Sequence, residues 1–173
     1  GRRRSERSRE TELQDFVLTF SQVDKDDVGF VGGKGANLGE MVNANVPVPE
    51  GFIVTAAAYD YFLDSAGLRE KISQVLNNLN VEDTQSLNQV AKNIQALILD
   101  QLLPHNITEK IKSAYKNLVK GYSPYVAVRS SATAEDLPNA SFAGQQETYL
   151  NIYGEENICR AVQKAWASLF EER

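Results

Sequence analysis

Between Leu87 and Leu118 the apolar residues fall twice at helical spacing, and no other feature limits the possible folds of this chain as much. Leu87, Val90, Ala91, Ile94, Leu97 and Ile98 make one stripe, and Ile107, Ile111, Ala114, Tyr115 and Leu118 make a second. Residues at i, i+3, i+4 and i+7 share one face of a helix with 3.6 residues per turn, so each stripe predicts an amphipathic helix with that face buried. Gly121 closes the second helix. A last helix from about Glu155 carries Ile158, Val162, Ala165 and Leu169 on one side, with Cys159 and Trp166 beside that stripe. These residues read as core. Trp166 leaves a second possibility open, contact with a neighbouring domain.

Strand-length apolar runs flank the helical middle. Val17 to Phe20 is a first strand, Asp24 to Gly29 is turn-like, and Gly32-Gly33-Lys34-Gly35 opens a helix with Leu38, Met41 and Val42 on one side. Val46 to Gly51 is extended or turning, because each proline pushes its predecessor out of the helical region. Phe52-Ile53-Val54 is a compact strand. Thr55 is placed to cap a helix running through Ala66, and Gly67 stops it. Tyr125 to Val128 and Thr148 to Ile152 are two more strands with a long polar loop between them, able to pair as an antiparallel hairpin. Short strands mixed with several helices predict an α+β domain with a small, mainly antiparallel sheet.

Composition narrows the function classes. The chain has 173 residues, 42% hydrophobic and 24% charged, as in a globular domain of ordinary size. No apolar run approaches the roughly 20 residues of a membrane span, and the first ten residues lack a signal-peptide core. A single cysteine excludes an internal disulfide and points to a reducing cytoplasm. The net charge is −5, yet Arg2, Arg3, Arg4, Arg7 and Arg9 crowd the start. The remainder is therefore acidic, which argues against nucleic-acid binding. Residues 1–15 are expected to be a disordered or cloning-derived basic leader, and 16–173 the folded unit. The chain stops at Phe170-Glu171-Glu172-Arg173 with no capping residue or turn, so the expectation is a piece of something longer.

Three segments can carry chemistry. In Gly32-Gly33-Lys34-Gly35, glycines before a helix let backbone N–H groups approach an anion, and Lys34 adds a mobile cation. The segment is not a Walker A loop, having Val28 and Gly35 where that pattern needs Gly and Ser or Thr. It misses the dinucleotide fingerprint because position 38 is Leu38. A tight turn with an exposed lysine is the alternative. Val126-Ala127-Val128 delivers Arg129 to a strand end, followed by Ser130, Ser131 and Thr133. A guanidinium fork beside hydroxyls suits phosphate oxygens, and the alternative is an Arg paired with Glu135 or Asp136. In Ser141-Phe142-Ala143-Gly144-Gln145-Gln146-Glu147, Gly144 admits close backbone approach. Gln145 and Gln146 bring amide donors, so the loop is either a lid over phosphates or a plain surface hairpin. Glu135, Asp136 and Glu147 have no spacing that forces a catalytic or metal role. His105 reads as a loop residue.

Taken together, Val31 to Met41, Val48 to Phe52, Val128 to Asp136 and Ser141 to Thr148 resemble, in the same order, the N-terminal nucleotide-binding region of the phosphoenolpyruvate synthase (pyruvate, water dikinase) family. Pyruvate phosphate dikinase and rifampin phosphotransferase share this domain. The resemblance runs from about residue 16 to the C-terminus. It implies the first lobe of an ATP-grasp-like domain, with Lys34 and Arg129 as catalytic residues on the nucleotide phosphates. Ser131, Gly144, Gln145 and Gln146 are the further ATP-binding positions. It implies ATP and Mg²⁺ as cofactors, with the metal ligands in chain outside these residues. The implied partners are the phosphohistidine and pyruvate-binding domains of the whole enzyme, which moves the β-phosphoryl of ATP to a histidine and then to pyruvate. No nucleic acid or membrane partner is expected. The 173 residues alone are expected to have no dikinase activity. A rifampin phosphotransferase-like enzyme and a stand-alone, non-catalytic nucleotide-binding module are the other readings.

Overall fold

A computed structural model describes residues 15–79, 82–121, 123–131 and 147–170. The basic leader through residue 14 lies outside the described residues. So do the polar-loop positions Thr133, Glu135, Asp136, Ser141, Phe142, Gly144, Gln145 and Gln146.

The domain is α+β. In chain order the elements are β1 (Val17–Thr19), two short 3₁₀ turns, α1 (Val28–Asn43), β2 (Phe52–Val54), α2 (Ala56–Ser65), α3 (Leu68–Asn77), α4 (Thr84–Leu99), α5 (His105–Leu118), β3 (Val126–Arg129), β4 (Thr148–Ile152) and α6 (Glu155–Ala167), with a 3₁₀ tail at Ser168–Phe170. Among the described residues the strands form two separate antiparallel ladders, β1 with β2 and β3 with β4. The expected antiparallel pairing is present, divided between two places.

The two apolar stripes of the middle segment are α4 and α5, and both bury the expected face. Ile94, Ile98, Ile107 and Ile111 are fully buried with Phe62, Leu68 and Phe170. α6 is the hub of this helical layer, packed against α4, α5 and both strands of the second ladder. Trp166 is buried there and stacks on Phe62 at 5.3 Å between ring centroids, with Tyr59 at 5.6 Å. The polar side of α6 finishes the end of α4, whose last carbonyls have no intrahelical partner. The Gln163 amide donates to the carbonyls of Ile98 (2.7 Å) and Gln101 (2.6 Å), and Arg160 donates to that of Leu99 (2.8 Å). Gln163 is thus a buried polar residue with its donors satisfied, as burial requires.

A second, smaller core holds Leu18, Val23, Val31, Ala36 and Ile53. The β1–β2 ladder is the partition between the two cores. Side chains alternate along a strand, and Leu18 pairs with Ile53 across the ladder. Both face the small core, while Val17, Phe52 and Val54 face the helical one.

Several local expectations need correction. Thr55 stands at the N-cap of α2, but its hydroxyl makes no cap and instead donates to the Asp15 carbonyl at 2.7 Å. Asp83 does cap with its side chain, accepting from the Gln85 N–H at 3.0 Å at the start of α4. Gly67 ends α2 in a left-handed conformation (φ 64°) and leads directly into α3, a helix whose own stripe the sequence reading passed over. The packed side of α1 is Val31, Gly35, Ala36 and Gly39; Leu38 and Val42 are half-buried and Met41 is exposed. The reason is close backbone contact: a Cβ on Gly39 would lie 2.2 Å from the Val23 carbonyl oxygen. His105 is the first residue of α5 and pairs with Glu109 at 3.0 Å.

Candidate functional site

The second ladder sets the direction of Arg129. Arg129 pairs with Thr148 and Val128 with Tyr149, but Val126 pairs with Ile152, so β4 carries one extra residue between these points. Asn151 in that bulge is left-handed (φ 57°), a conformation Asn tolerates better than most residues. The bulge brings Tyr149 and Ile152 to the inner side although they are three apart. Val126 and Val128 pack on the helical core, and Arg129 stays exposed at the strand end. Ser130, buried, continues the ladder by donating its N–H to the Glu147 carbonyl at 3.0 Å.

Tyr115 holds the roots of this hairpin. Its hydroxyl donates to the Pro124 carbonyl (2.6 Å) before β3 and accepts from the Gly154 N–H (3.0 Å) after β4. The exposed rings of Tyr125 and Tyr153 meet beside it at 5.5 Å. Lys112 and Lys116 of α5 pair with Glu156 (2.6 Å) and Glu155 (3.1 Å). The two glutamates sit in the first turn of α6, where the helix dipole favours negative charge.

The glycine segment meets the end of β3 directly. Within α1 the helix is broken at Gly32, which has φ 72° and ψ 175°, a region open essentially to glycine alone. A Cβ at Gly32 would fall 1.6 Å from the Ser131 carbonyl oxygen. The backbone of Ser131 therefore lies against the bare Cα of Gly32. The Ser131 hydroxyl accepts from the Gly35 N–H at 2.8 Å and donates to the Val31 carbonyl, joining residues 96 and 100 positions apart. The glycines are expected either to admit an anion or to make a tight turn; at Gly32 the group that approaches is protein backbone.

Lys34, half-buried, and Arg129 both line one cleft of about 1340 Å³, bounded by α1 and β2 on one side and by β3 and α6 on the other. Neither side chain forms an ion pair with another described residue. The expected alternatives for Arg129, Glu135 and Asp136, lie outside the described residues, as do the lid positions Gly144, Gln145 and Gln146. Ser131 also borders the cleft. Leu38 and Met41 of α1 line it, as do Tyr59 and the buried Trp166, neither of which carries a site signal in the sequence. Burial pushes the Tyr59 hydroxyl up to about 12. Among the described residues there is no group of three or more His, Cys, Asp or Glu side chains able to hold a metal ion. None of the helices among them is long and apolar enough to cross a membrane.

A family model described as "Pyruvate phosphate dikinase, AMP/ATP-binding domain" matches residues 28–173, a span that includes the glycine segment, Arg129 and the whole helical layer. The chain belongs to that family. Among similar proteins is a probable phosphoenolpyruvate synthase of Staphylothermus marinus, 51% identical over 163 residues, covering 91% of this chain and 20% of the relative. Another, from Methanothermobacter thermautotrophicus, is 50% identical over 161 residues, covering 91% of this chain and 24% of the relative. A phosphoenolpyruvate synthase of Aquifex aeolicus is 46% identical over 165 residues, covering 91% and 19%. The chain thus spans roughly a fifth to a quarter of the length of these relatives. In this member of the family Lys34 and Arg129 line the same cleft.

Proposed function

We propose that these residues are the ATP-binding first lobe, ATP-grasp-like, of a phosphoenolpyruvate synthase of the cytoplasm. The observation that carries this reading is the convergence of Lys34 and Arg129 on one cleft in a chain of the AMP/ATP-binding domain family. A triphosphate is polyanionic, so a site for it needs cations that are not already neutralised. The ammonium of Lys34 provides a compact point charge and the guanidinium of Arg129 a planar fork for two phosphate oxygens. The cleft exceeds the roughly 300–1,000 Å³ of an ordinary ligand pocket, so a nucleotide fits with room for a covering loop. In this reading Gly144, Gln145 and Gln146 close over the phosphates.

The whole enzyme would convert ATP, pyruvate and water to AMP, phosphoenolpyruvate and phosphate, through a phosphohistidine on another domain. The contribution of this lobe is electrostatic: Arg129 and Lys34 hold the phosphate chain and stabilise charge as the phosphoryl group moves. Mg²⁺ would neutralise the phosphate oxygens further, and its ligands belong in this reading to chain beyond these residues. The phosphoenolpyruvate synthases among the relatives favour pyruvate over an antibiotic as final acceptor. Nothing observed favours a stand-alone regulatory module.

The test is made in the full-length polypeptide that carries these residues. Arg129→Ala is expected to lower turnover by about 10²-fold or more, the usual loss for a donor at a transferring group. Lys34→Ala is expected to weaken ATP binding and slow the reaction together. ATP affinity and pyruvate-dependent AMP release unchanged in both variants would remove the site from this cleft.

A further inference from the structure

We propose that Ser131 is a positioning residue, which sets the Lys34 turn against the Arg129 strand without touching phosphate. The proposal rests on the ATP-site reading and deepens it. A serine hydroxyl has one hydrogen. In this chain that hydrogen goes to the Val31 carbonyl, and a lone pair takes the Gly35 N–H at 2.8 Å. No proton is left for a phosphate oxygen. The two bonds grip residues on either side of Gly32-Gly33-Lys34, so the hydroxyl fixes the turn from which Lys34 projects. Ser131 itself is held from the other direction. Its neighbour Ser130 is buried and bonded to the Glu147 carbonyl at 3.0 Å, and Arg129 is laddered to Thr148. The contact is further fixed by Gly32, whose missing side chain is the space the Ser131 carbonyl occupies. The hydroxyl, together with the Gly32 contact, therefore sets the separation of two cations that lie far apart in the sequence. Catalytic groups misplaced by about 1 Å can lose on the order of 10²-fold in rate.

The experiment is a double-mutant cycle between Ser131→Ala and Lys34→Ala in the full-length polypeptide, read as kcat and KM for ATP. Ser131→Ala is expected to raise KM and lower kcat together, reducing kcat/KM by about tenfold or more. In the Lys34→Ala background the same change is expected to matter less than about threefold, because the group it positions is gone. Ser131→Thr, which keeps the hydroxyl, is expected to recover most of kcat/KM. Equal factors in both backgrounds would overturn the proposal, since Ser131 would then act independently of Lys34. So would a lowered melting temperature with unchanged kcat and KM, the mark of a purely structural bond. Hydrogen exchange of the Gly35 amide separates this idea from the reading beneath it. If Lys34→Ala proves silent while Ser131→Ala speeds that exchange about tenfold, the positioning contact stands and the ATP site is elsewhere. If exchange is unchanged, the contact itself is refuted. Should Ser131→Ala fail to fold, Ser131→Cys keeps the volume, donates only weakly, and enters the same comparisons.

Discussion

Replacing Gly32 by alanine gives the sharpest energetic test of how the two motifs meet. The backbone there (φ 72°, ψ 175°) lies where L-residues cost on the order of 1–3 kcal/mol. The added Cβ would sit 1.6 Å from the Ser131 carbonyl oxygen and 2.3 Å from its carbon. Both are backbone atoms and cannot swing aside, so the strand end and the turn must separate. Separation breaks the two hydrogen bonds of the Ser131 hydroxyl, each worth about 0.5–1.5 kcal/mol net. The expected loss is about 2–6 kcal/mol. For a domain of this size that lowers Tm by roughly 4 °C or more. The assay is urea and thermal unfolding of the 173-residue chain, with Gly29→Ala as the control. A Cβ at Gly29 meets nothing within 4 Å, and its backbone is not left-handed. That change in a helical turn is therefore expected to be neutral or to stabilise by about 0.5–1 kcal/mol. If Gly32→Ala and Gly29→Ala fell within about 1 kcal/mol of each other, the close approach of Ser131 to Gly32 would be wrong.

Two further outcomes follow from other contacts. Tyr115→Phe removes the partner of both the Pro124 carbonyl and the Gly154 N–H. It should cost about 1–3 kcal/mol in urea unfolding, and a loss under about 0.5 kcal/mol would show that the hydroxyl does not anchor the hairpin roots. Burial pushes the Cys159 thiol up from about 9 to about 11. Between those values the unfolded chain has released the proton that the folded chain keeps. Stability is therefore complete below about pH 9 and falls as pH rises toward 11, by less than about 1.4 kcal/mol per unit. Cys159→Ala should flatten that part of the pH curve relative to wild type, and identical slopes would place the thiol in contact with water.

The helical layer was legible because its stripes are long. In α4 and α5 the spacing of Ile94, Ile98, Ile107 and Ile111 names the buried face without knowledge of any partner. α3 escaped because its stripe is short: Leu68 and Ile72 are buried and Val75 and Leu76 half-buried against the core, among otherwise polar residues. α1 was harder still, since its packed face is largely glycine and alanine, which leave no hydrophobic signature. The bulge at Asn151 hid the register of β4, because an extra residue breaks the two-residue alternation on which strand reading depends. At the cleft, Lys34 and Arg129 could be singled out from residue type and position. What joins them could not. The bonds from Ser131 to Gly35 and Val31 are long-range facts, and a serine beside an arginine looks the same in sequence whether its hydroxyl faces a ligand or the protein.

The partition formed by β1 and β2 has a bearing on inactivation. Among the described residues the core on the glycine side has five buried apolar residues, and two of them, Leu18 and Ile53, belong to the partition itself. Such a unit has little cohesion of its own, and its free energy of opening falls below that of the helical layer. A sub-global fluctuation that frees α1 would carry Lys34 away from the cleft while Trp166, Phe62 and the helices around them remain packed. Loss of the proposed nucleotide site by heat or denaturant would then precede loss of helical signal, and the domain would pass through a state that is folded by spectroscopy yet lacks one of the two cations of the cleft.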